Sequence, residues 1–306
     1  MNVPPDQKLV EGIATDLGVD PSFVEKDWHA MRMVSVLAGV EHSGFCPVFS
    51  GGTSLSKAYG LIQRFSEDLD FKLIRPEADV TRGMRKGYRY AIFDAIHAVD
   101  DWTVQEEAIL VRDEGRFFSI PIRYPNLFAP AQALRPELRL DVSFAEPVLP
   151  FEERSLRSFI AIARQDEPEV AAIACVSPAE TAADKLSALT WRVINRERGG
   201  KGDDPTFIRH LHDIAALENH AESHPKFPWL LNRLLVEDAH RGRPSAEVQA
   251  LAPAERVTRA ITILGTDPEY PREYEQFVLA MSYAAEKDRP QFEKALETVR
   301  RLGAGL

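Results

Sequence analysis

The pattern of apolar and polar positions predicts helices at the start of the chain. Within residues 6–40, Val24, Trp28 and Met31 recur at the spacing of one helix face. Asp20 precedes them and is followed by proline, which is typical of a helix start because proline at the first helical position loses no hydrogen bond. The chain therefore opens with helices that bury one face.

A strand–turn–helix–strand unit is predicted over residues 46–74. A short apolar run ends at a glycine pair, and the helix that follows is predicted over Ser54–Ile62. Leu69, Phe71 and Leu73 then alternate with polar residues, which is the pattern of a half-buried strand. The polar residues between them are expected on the opposite face of that strand.

The remaining elements complete an α+β layout. The mixed part continues with a helix over residues 80–99, a hairpin of Val104–Val111 and Phe117–Tyr124, and a strand over Leu138–Phe144. Strand signals fade after residue 150. From Ser177 the chain is helical, beginning with a capping box at Ser177-Pro178-Ala179-Glu180 and continuing with helices over Phe227–Val236, Pro253–Leu264, Arg272–Ala285 and Gln291–Leu302. The sequence thus predicts a mixed β-sheet domain with flanking helices over residues 1–165 and an all-helical domain over residues 166–306.

Composition mainly excludes classes of protein. A chain of 306 residues with 44% hydrophobic and 27% charged residues is typical of a globular protein with an ordinary core. Two distant cysteines, Cys46 and Cys175, indicate neither a disulfide framework nor a zinc site, and they predict a reducing, cytoplasmic location. Since no signal peptide and no apolar run of membrane-spanning length are found, no membrane is expected. The net charge of −10 argues against a non-specific nucleic-acid coat but allows a local basic groove.

Two carboxylates on one strand face are the main candidate for catalytic chemistry. Asp68 and Asp70 are two residues apart, so their side chains point the same way and repel each other unless a cation lies between them. Magnesium prefers few protein carboxylates together with phosphate oxygens and water, which suits a nucleotide-bound metal. Asp141 offers a third carboxylate on another strand, and the alternative is an ordinary polar residue on an open face. An isolated Asp-x-Asp motif usually only marks the solvent-facing edge of a strand.

The glycine pair before the acids is the candidate phosphate site. Gly51 and Gly52 follow a strand and carry no Cβ, so their N–H groups can approach phosphate oxygens. The spacing is not that of a Walker loop, and a Gly-Gly pair alone is usually just a turn. Hydroxyls and cations that could contribute to nucleotide binding follow in Thr53, Ser54, Ser56, Lys57, Arg64 and Ser66.

Basic residues on one predicted helix are the candidate RNA contacts. Arg82, Arg85, Lys86 and Arg89 are spaced as one helix face, and the interleaved Tyr88 and Tyr90 could stack on bases. The alternative is a face that only contacts solvent. A second basic group comprises Arg192, Arg196, Arg198 and Lys201.

Together these motifs resemble the AbiEii/AbiGii-type toxin family, which comprises nucleotidyltransferase-like toxins of type IV toxin–antitoxin and abortive-infection systems. The resemblance is most specific in the glycine and aspartate motifs and weaker in a Glu-Lys-Asp helix and two later helices, the last of which has His212 where tyrosine is common. The matching segments are Val24-Glu25-Lys26-Asp27-Trp28, Phe49 to Tyr59, Arg64 to Phe71, Glu180 to Leu189 and Arg209 to Ile214.

The resemblance implies a nucleotidyltransferase fold and metal-dependent transfer of a nucleotide. It implies Mg²⁺ or Mn²⁺ as cofactor, an NTP as donor, the 3′ end of tRNA as acceptor and a separately encoded antitoxin. It also assigns Lys185 to the triphosphate and Asp213 to orienting that lysine or the acceptor hydroxyl. From the residues alone, Lys185 is explained as a lysine that reaches solvent from the edge of a buried stripe, and Asp213 as a surface partner of Arg209. Two alternative functions are transfer to a protein side chain and nucleotide binding without turnover.

Overall fold

The computed structural model describes residues 4–75, 79–239 and 245–306. These residues divide into two units, the first ending at Val176 and the second beginning at Ser177. The boundary expected from the sequence was after residue 165, before the last strand of the first unit. That strand is one of two that the sequence did not predict.

A mixed β-sheet forms the centre of the first unit. The strands are β1 Cys46–Ser50, β2 Asp68–Ile74, β3 Thr103–Val104, β4 Leu110–Arg112, β5 Phe117–Arg123, β6 Leu138–Ser143, β7 Glu152–Leu156 and β8 Val170–Cys175. They follow the spatial order β3-β5-β6-β2-β1-β8-β7, and β4 also pairs with β5. The β2–β6 and β1–β8 pairs are parallel, and the other neighbouring pairs are antiparallel.

Helices flank this sheet, which confirms the predicted α+β class. In the long second helix, Asp20 accepts a hydrogen bond from the Ser22 N–H at 2.9 Å and Pro21 is the first helical residue, as predicted. The helix after the glycine pair begins three residues earlier and ends five residues earlier than predicted. The helices are α1 Gln7–Leu17, α2 Pro21–Ala38, α3 Gly51–Lys57, α4 Arg82–His97 and α5 Phe159–Arg164.

The alternation in β2 gives the sheet one buried face and one polar face. Leu69, Phe71 and Leu73 are buried in the main core, while Asp68 and Asp70 are only partly buried. This confirms the predicted orientation of the strand. The core also includes apolar residues of α2 and α4, so both helices pack against the apolar side of the sheet.

Three features of the sheet differ from the sequence prediction. The predicted strand Val104–Val111 is interrupted by a 3₁₀ turn at Glu106–Ala108, so β3 and β4 pair separately with β5. Strands β7 and β8 were missed. β7 is an edge strand whose sequence, Glu-Glu-Arg-Ser-Leu, is mostly exposed and lacks an apolar alternation. β8 is short and rich in alanine, which has little preference for strands.

The regular structure described for the second unit is helical, as predicted. The helices of this unit are α6 Pro178–Ile194, α7 Arg209–Ser223, α8 Phe227–Asp238, α9 Ala246–Ala250, α10 Pro253–Thr266, α11 Glu269–Met281 and α12 Phe292–Gly303. α6 packs against α7, α8 and α10, and α12 packs against α7. Ser177 is the N-cap of α6, but its side chain makes no capping hydrogen bond, so the predicted capping box is not formed. Among the helices in the described ranges of both units, none is both long enough and apolar enough to span a membrane.

Candidate active site

Three aspartates lie on neighbouring strands at the centre of the sheet. Strands β2 and β6 run parallel, and their register places Asp70 directly beside Asp141. On the other side, β1 places Ser50 beside Asp70. Asp68 lies two residues before Asp70 on the same strand face. The sheet therefore places the three aspartates that the sequence proposed as metal ligands at neighbouring positions of β2 and β6, near the point where β1 ends and α3 begins.

The first glycine of the pair is required by the approach of Asp70. Gly51 has a φ of +73°, a conformation that side chains rarely adopt. A Cβ at this position would overlap the Asp70 carboxylate and lie 2.7 Å from its carboxyl carbon. The sequence predicted that a phosphate would approach Gly51, but the atoms that lie nearest to the position of a Cβ here belong to Asp70.

The second glycine makes room for the segment that leads into β2. A Cβ on Gly52 would lie 2.8 Å from both a guanidinium nitrogen of Arg64 and the hydroxyl of Ser66. Arg64 is itself buried and donates a hydrogen bond to the carbonyl of Phe65 at 2.7 Å. The glycine pair and the Arg-x-Ser-x-Asp-x-Asp segment are therefore two parts of one packed arrangement.

The hydroxyls after the glycines hold the helix against the strand. Thr53 donates to the carbonyl of Asp68 at 2.7 Å, and Ser50 donates to the carbonyl of Asp70 at 3.1 Å. Ser56 donates within its own helix, to the carbonyl of Thr53 at 3.1 Å. Ser54 is buried. These bonds fix α3 relative to the two acids, and the role of Thr53 and Ser54 in binding a nucleotide stays a prediction.

Lys57 lies in a buried ion pair. Its Nζ is 2.5 Å from a carboxylate oxygen of Asp27, and both side chains are almost fully buried. The ammonium also lies 3.5 Å from the centre of the Phe159 ring, and the Phe159 N–H donates to the other Asp27 oxygen at 2.8 Å. The positive charge of Lys57 is thus balanced by Asp27. Its predicted role in neutralising phosphate is not indicated by these contacts and stays a prediction.

Asp68 has an ionic partner that the sequence did not reveal. The guanidinium of Arg135 donates to Asp68 Oδ1 at 2.7 Å. The Arg135 N–H donates to Glu67 Oε1 at 2.6 Å, and Lys26 donates both to Glu67 Oε1 at 2.7 Å and to the Arg135 carbonyl at 2.8 Å. The Glu-Lys-Asp segment of α2 was the one available sequence signal for this network, because charged residues in the middle of a buried helix need partners.

The electrostatics of Asp141 favour a nearby cation. Burial raises the pKa of Asp141, the hydroxyl of Ser119 lowers it through a hydrogen bond at 2.5 Å, and the charge of Asp68 raises it again. A positive ion at the acids would offset the cost of keeping Asp141 ionised. The role of Asp141 as a metal ligand stays a prediction.

The acids suit a metal that arrives together with a nucleotide. Within the described ranges, no group of three or more His, Cys, Asp or Glu side chains is arranged so that it could hold a metal ion. Asp68 and Asp70 nevertheless offer two carboxylates from adjacent positions of one strand. Magnesium usually completes such a set with water and phosphate oxygens rather than with further protein ligands. The donor set fits that kind of binding.

In the second unit, the two residues assigned by the family resemblance are in contact. Lys185 Nζ lies 2.8 Å from Asp213 Oδ2, and Asp213 is fully buried. His212 Nδ1 lies 3.3 Å from the other oxygen of the same carboxylate. The alternative that Asp213 is a surface partner of Arg209 is wrong, and so is the expectation that Lys185 reaches solvent, because both side chains are buried. Burial also lowers the pKa of the adjacent His210, and the positive charge of Lys185 lowers it further.

The predicted basic face of α4 is only partly correct. Arg85 is buried and donates to the carbonyls of Val80 at 2.9 Å and Glu114 at 3.3 Å, and Tyr88 is fully buried, so neither can contact RNA as predicted. Lys86 and Arg89 instead lie 5.6 and 5.9 Å from the ring of Tyr90, which is half exposed. Arg82 is exposed at the start of the helix.

The second basic group is largely neutralised by acids of its own unit. Arg196 contacts Asp203 at 2.8 Å and Glu273 at 2.6 Å, and its guanidinium lies 5.1 and 5.4 Å from the ring centres of Phe207 and Tyr270. Arg198 contacts Glu273 and also Asp267 at 2.9 Å. Arg192 is 3.6 Å from Asp204. These ion pairs do not form the open basic surface that the sequence suggested.

Comparison with known proteins identifies the class to which this fold and these motifs belong. The family model of the nucleotidyl transferase AbiEii toxins of type IV toxin–antitoxin systems matches residues 36–298. The chain therefore belongs to the AbiEii nucleotidyltransferase toxin family, and it is a nucleotidyltransferase. No curated protein sequence matches significantly. A solved structure that resembles the chain is MenT4, a nucleotidyltransferase toxin from Mycobacterium tuberculosis H37Rv, with 20% identity, 95% of this chain and 98% of that chain covered, and a TM-score of 0.48.

Proposed function

We propose that the protein is a metal-dependent toxin that transfers a nucleotide from an NTP to the 3′ end of tRNA and so blocks translation. Membership of the AbiEii family supports nucleotidyl transfer, and it supports opposition by a separately encoded antitoxin. The single observation that carries the site assignment is the register of the sheet, which puts Asp70 beside Asp141 while Asp68 shares its strand face. A tRNA substrate would place the reaction in the cytoplasm.

Each residue of the first unit would have a specific task. Asp68 and Asp70 would hold Mg²⁺ or Mn²⁺, which would offset the negative charge of the triphosphate, and Asp141 would support them from the neighbouring strand. Gly51 and Gly52 would line the phosphate site. The remaining residues of the motif would keep that loop in place: Thr53, Lys57, Arg64 and Ser66 through their contacts in the structure, and Ser54 as a buried residue of α3.

The pair in the second unit would act on the leaving group. We propose that Lys185 neutralises charge on the departing pyrophosphate and that Asp213 orients it, which the ion pair at 2.8 Å supports. The RNA 3′ hydroxyl would attack the α-phosphorus, and the bond to the β-phosphate oxygen would break. Lysine suits this task because its ammonium is a compact charge with three donors.

The decisive experiment compares Asp70→Asn with wild type. Each of the four NTPs, labelled on the α-phosphate, is incubated with separate pools of total tRNA and protein. Wild type is expected to label tRNA 3′ ends and to release pyrophosphate, whereas Asp70→Asn should be at least about 100-fold slower because a metal ligand is lost. Chelation of divalent cations by EDTA should have the same effect on wild type.

Asp94→Asn is the matched control, since Asp94 is an exposed acid on α4 and its loss should leave the rate unchanged. Thermal unfolding checks that both variants are folded. If label appears only in the protein pool, the acceptor is a protein side chain and not tRNA. Nucleotide binding without pyrophosphate release would instead support a binding protein without turnover, and full activity of folded Asp70→Asn would overturn the site.

We further propose that Lys86, Arg89 and Tyr90 contact the tRNA, with Arg82 beside them. The exposure of Arg82 and Lys86, and the position of Lys86 and Arg89 near the half-exposed ring of Tyr90, support this. Reversal of two charges in K86E/R89E should weaken tRNA binding about tenfold or more at low salt and reduce its salt dependence. K287E/K294E makes the same charge change at exposed positions of the second unit and should bind normally. Equal binding by both double variants would exclude this surface.

A further inference from the structure

A segment between β5 and β6 is fastened along one side of α2. This segment, residues 125–137, is here called the strap. It has no regular secondary structure, and its backbone is held by three side chains from consecutive turns of α2. The anchoring hydrogen bonds join Glu25 to the N–H groups of Leu127 (2.5 Å) and Phe128 (3.1 Å), Ser22 Oγ to the N–H of Ala131 (3.1 Å), and Lys26 Nζ to the carbonyl of Arg135 (2.8 Å).

The strap delivers one side chain to the acids. The backbone of Arg135 is held on both sides, because its N–H donates to Glu67 and its carbonyl accepts from Lys26. The side chains of Lys26 and Glu67 are 5% and 13% exposed, whereas that of Arg135 is 35% exposed. Its guanidinium is thus held at Asp68 from a fixed backbone, with its Nε 4.0 Å from Glu67, while part of the side chain remains exposed. Such a side chain can change partner without moving the strap.

The contact between Arg135 and Asp68 conflicts with metal binding at the same carboxylate. Arg135 donates to Asp68 Oδ1 at 2.7 Å, so it uses an oxygen that a divalent cation would take. A second positive charge at that oxygen would also be repelled by the guanidinium. The fork of donors on arginine, once released, matches the oxygens of a phosphate group.

We propose that Arg135 exchanges partners during nucleotide binding. It holds Asp68 in the absence of metal, gives way when a divalent cation binds there, and then contacts a phosphate of the NTP. This inference rests on the proposed function, in which Asp68 is a metal ligand. It also gives the Glu-Lys segment of α2 a task, which is to position Arg135 through the strap and Glu67.

The exchange predicts opposite effects on two ligands in one variant, Arg135→Gln. Mn²⁺ alone should bind about threefold more tightly to this variant, because the guanidinium that competes for Asp68 is removed. The expected gain is modest because a partly exposed ion pair is weak. Non-hydrolysable α,β-methylene NTP analogues with Mn²⁺ should bind about tenfold more weakly, because a phosphate contact is lost. Both affinities are measured by calorimetry, with all four bases tested. Arg135→Lys keeps the positive charge without the paired donors of the guanidinium. Its affinity for the analogues should therefore lie between those of wild type and Arg135→Gln.

Arg112→Gln is the matched control, since Arg112 is an exposed arginine on the edge strand β4. It should bind both ligands as wild type does, and thermal unfolding should show both glutamine variants folded. If Arg135→Gln binds Mn²⁺ and the analogues like wild type, the exchange is wrong while the metal site stands. If affinity for both ligands falls, Arg135 merely stabilises the site and the exchange is also wrong. If wild type binds no Mn²⁺ with or without the analogues, the metal assignment of the proposed function fails as well.

Discussion

At the scale of single residues, the candidate site depends on the absence of a side chain at position 51. Gly51 combines a left-handed backbone with an Asp70 carboxylate that occupies the space a Cβ would need. Either property alone favours glycine, and their combination excludes every other residue without displacement of the acid. The position of a proposed metal ligand is therefore set by a residue that itself has no functional group.

Gly51→Ala is expected to abolish nucleotide transfer and to lower the free energy of unfolding by about 2–5 kcal/mol. About 1–2 kcal/mol of this arises from the left-handed backbone and the rest from overlap with Asp70. Gly60→Ala separates the two effects, because Gly60 has a φ of +63° and a Cβ there would meet no atom within 4 Å. The control should lose only the backbone contribution and keep its activity. Chemical denaturation and the transfer assay measure both quantities, and equal losses in the two variants would contradict this explanation.

The residue scale also shows how far local sequence patterns reach. The alternation of β2 was sufficient to predict that Asp68 and Asp70 share a polar face, because that property depends on neighbours along the chain. Lys57 was assigned to phosphate because its partner, Asp27, is distant in sequence and lies on another helix. Arg135 was missed for the same reason. A contact set by packing between elements leaves no local signal in one sequence.

At the scale of elements, α2 links most parts of the candidate site in the first unit. Residues 22–34 of this helix are all buried, so its polar side chains need internal partners. Three consecutive residues meet three different segments. Glu25 holds the strap, Lys26 holds Glu67 beside Asp68, and Asp27 holds Lys57 at the end of α3. The sequence showed this motif but could not show what it was for.

Glu25→Ala is expected to loosen the strap. Burial raises the pKa of Glu25, while the N–H groups of Leu127 and Phe128 lower it and hold the carboxylate in place. Without that acceptor, both N–H groups lose their partner, which should cost about 2 kcal/mol of unfolding free energy and speed hydrogen exchange at residues 127 and 128. Glu25→Gln keeps one acceptor oxygen and should show a smaller change. Unchanged exchange in Glu25→Ala would mean that the strap is held by its other contacts.

Helix α4 shows why a helical spacing of charges overstates an exposed face. Positions i, i+3, i+4 and i+7 point to one broad side of a helix, and part of that side packs when a neighbouring element covers it. In this fold the covering elements are the end of the β4–β5 hairpin and the segment before α4. One carbonyl of each element accepts a hydrogen bond from the guanidinium of Arg85. The sequence showed the spacing and predicted the hairpin, but it did not show that the hairpin packs against this face of α4.

At the scale of the whole molecule, the excess of acidic residues neutralises many of the basic ones. With a net charge of −10, the chain has acids available for most exposed cations, and the arginines at 192, 196 and 198 are paired within the second unit. A basic cluster in such a sequence is therefore weak evidence for a nucleic-acid surface until its partners are known. The cations beside Tyr90 on α4 remain the better candidates because their ring contact is exposed.

Buried neutral histidine should make the protein sensitive to mild acid. Burial and, to a smaller extent, the charge of Arg32 lower the pKa of His29 to about 3, although a hydrogen bond with the backbone of Pro125 opposes them. Its ring lies 4.3 Å from that of Tyr124, and its Nδ1 is 3.5 Å from the Trp102 Nε1. Because the unfolded chain binds a proton near pH 6.5 and the folded chain does not, stability is complete above pH 6.5 and is lost as the pH falls from there toward 3.

From pH 7 to pH 5, this single group should reduce the free energy of unfolding by about 2 kcal/mol. His29→Gln keeps a polar side chain that can accept from Trp102 but does not titrate, so its stability should depend less on pH by that amount. Denaturation followed by tryptophan fluorescence at both pH values measures the difference between the two proteins. Burial also lowers the pKa of His210 in the second unit. Because His210 is present in both proteins, the comparison removes its contribution and that of the other titrating groups. An equal loss of stability in wild type and His29→Gln would show that His29 becomes protonated in the folded state at pH 5, and that its surroundings open to water before the first unit unfolds.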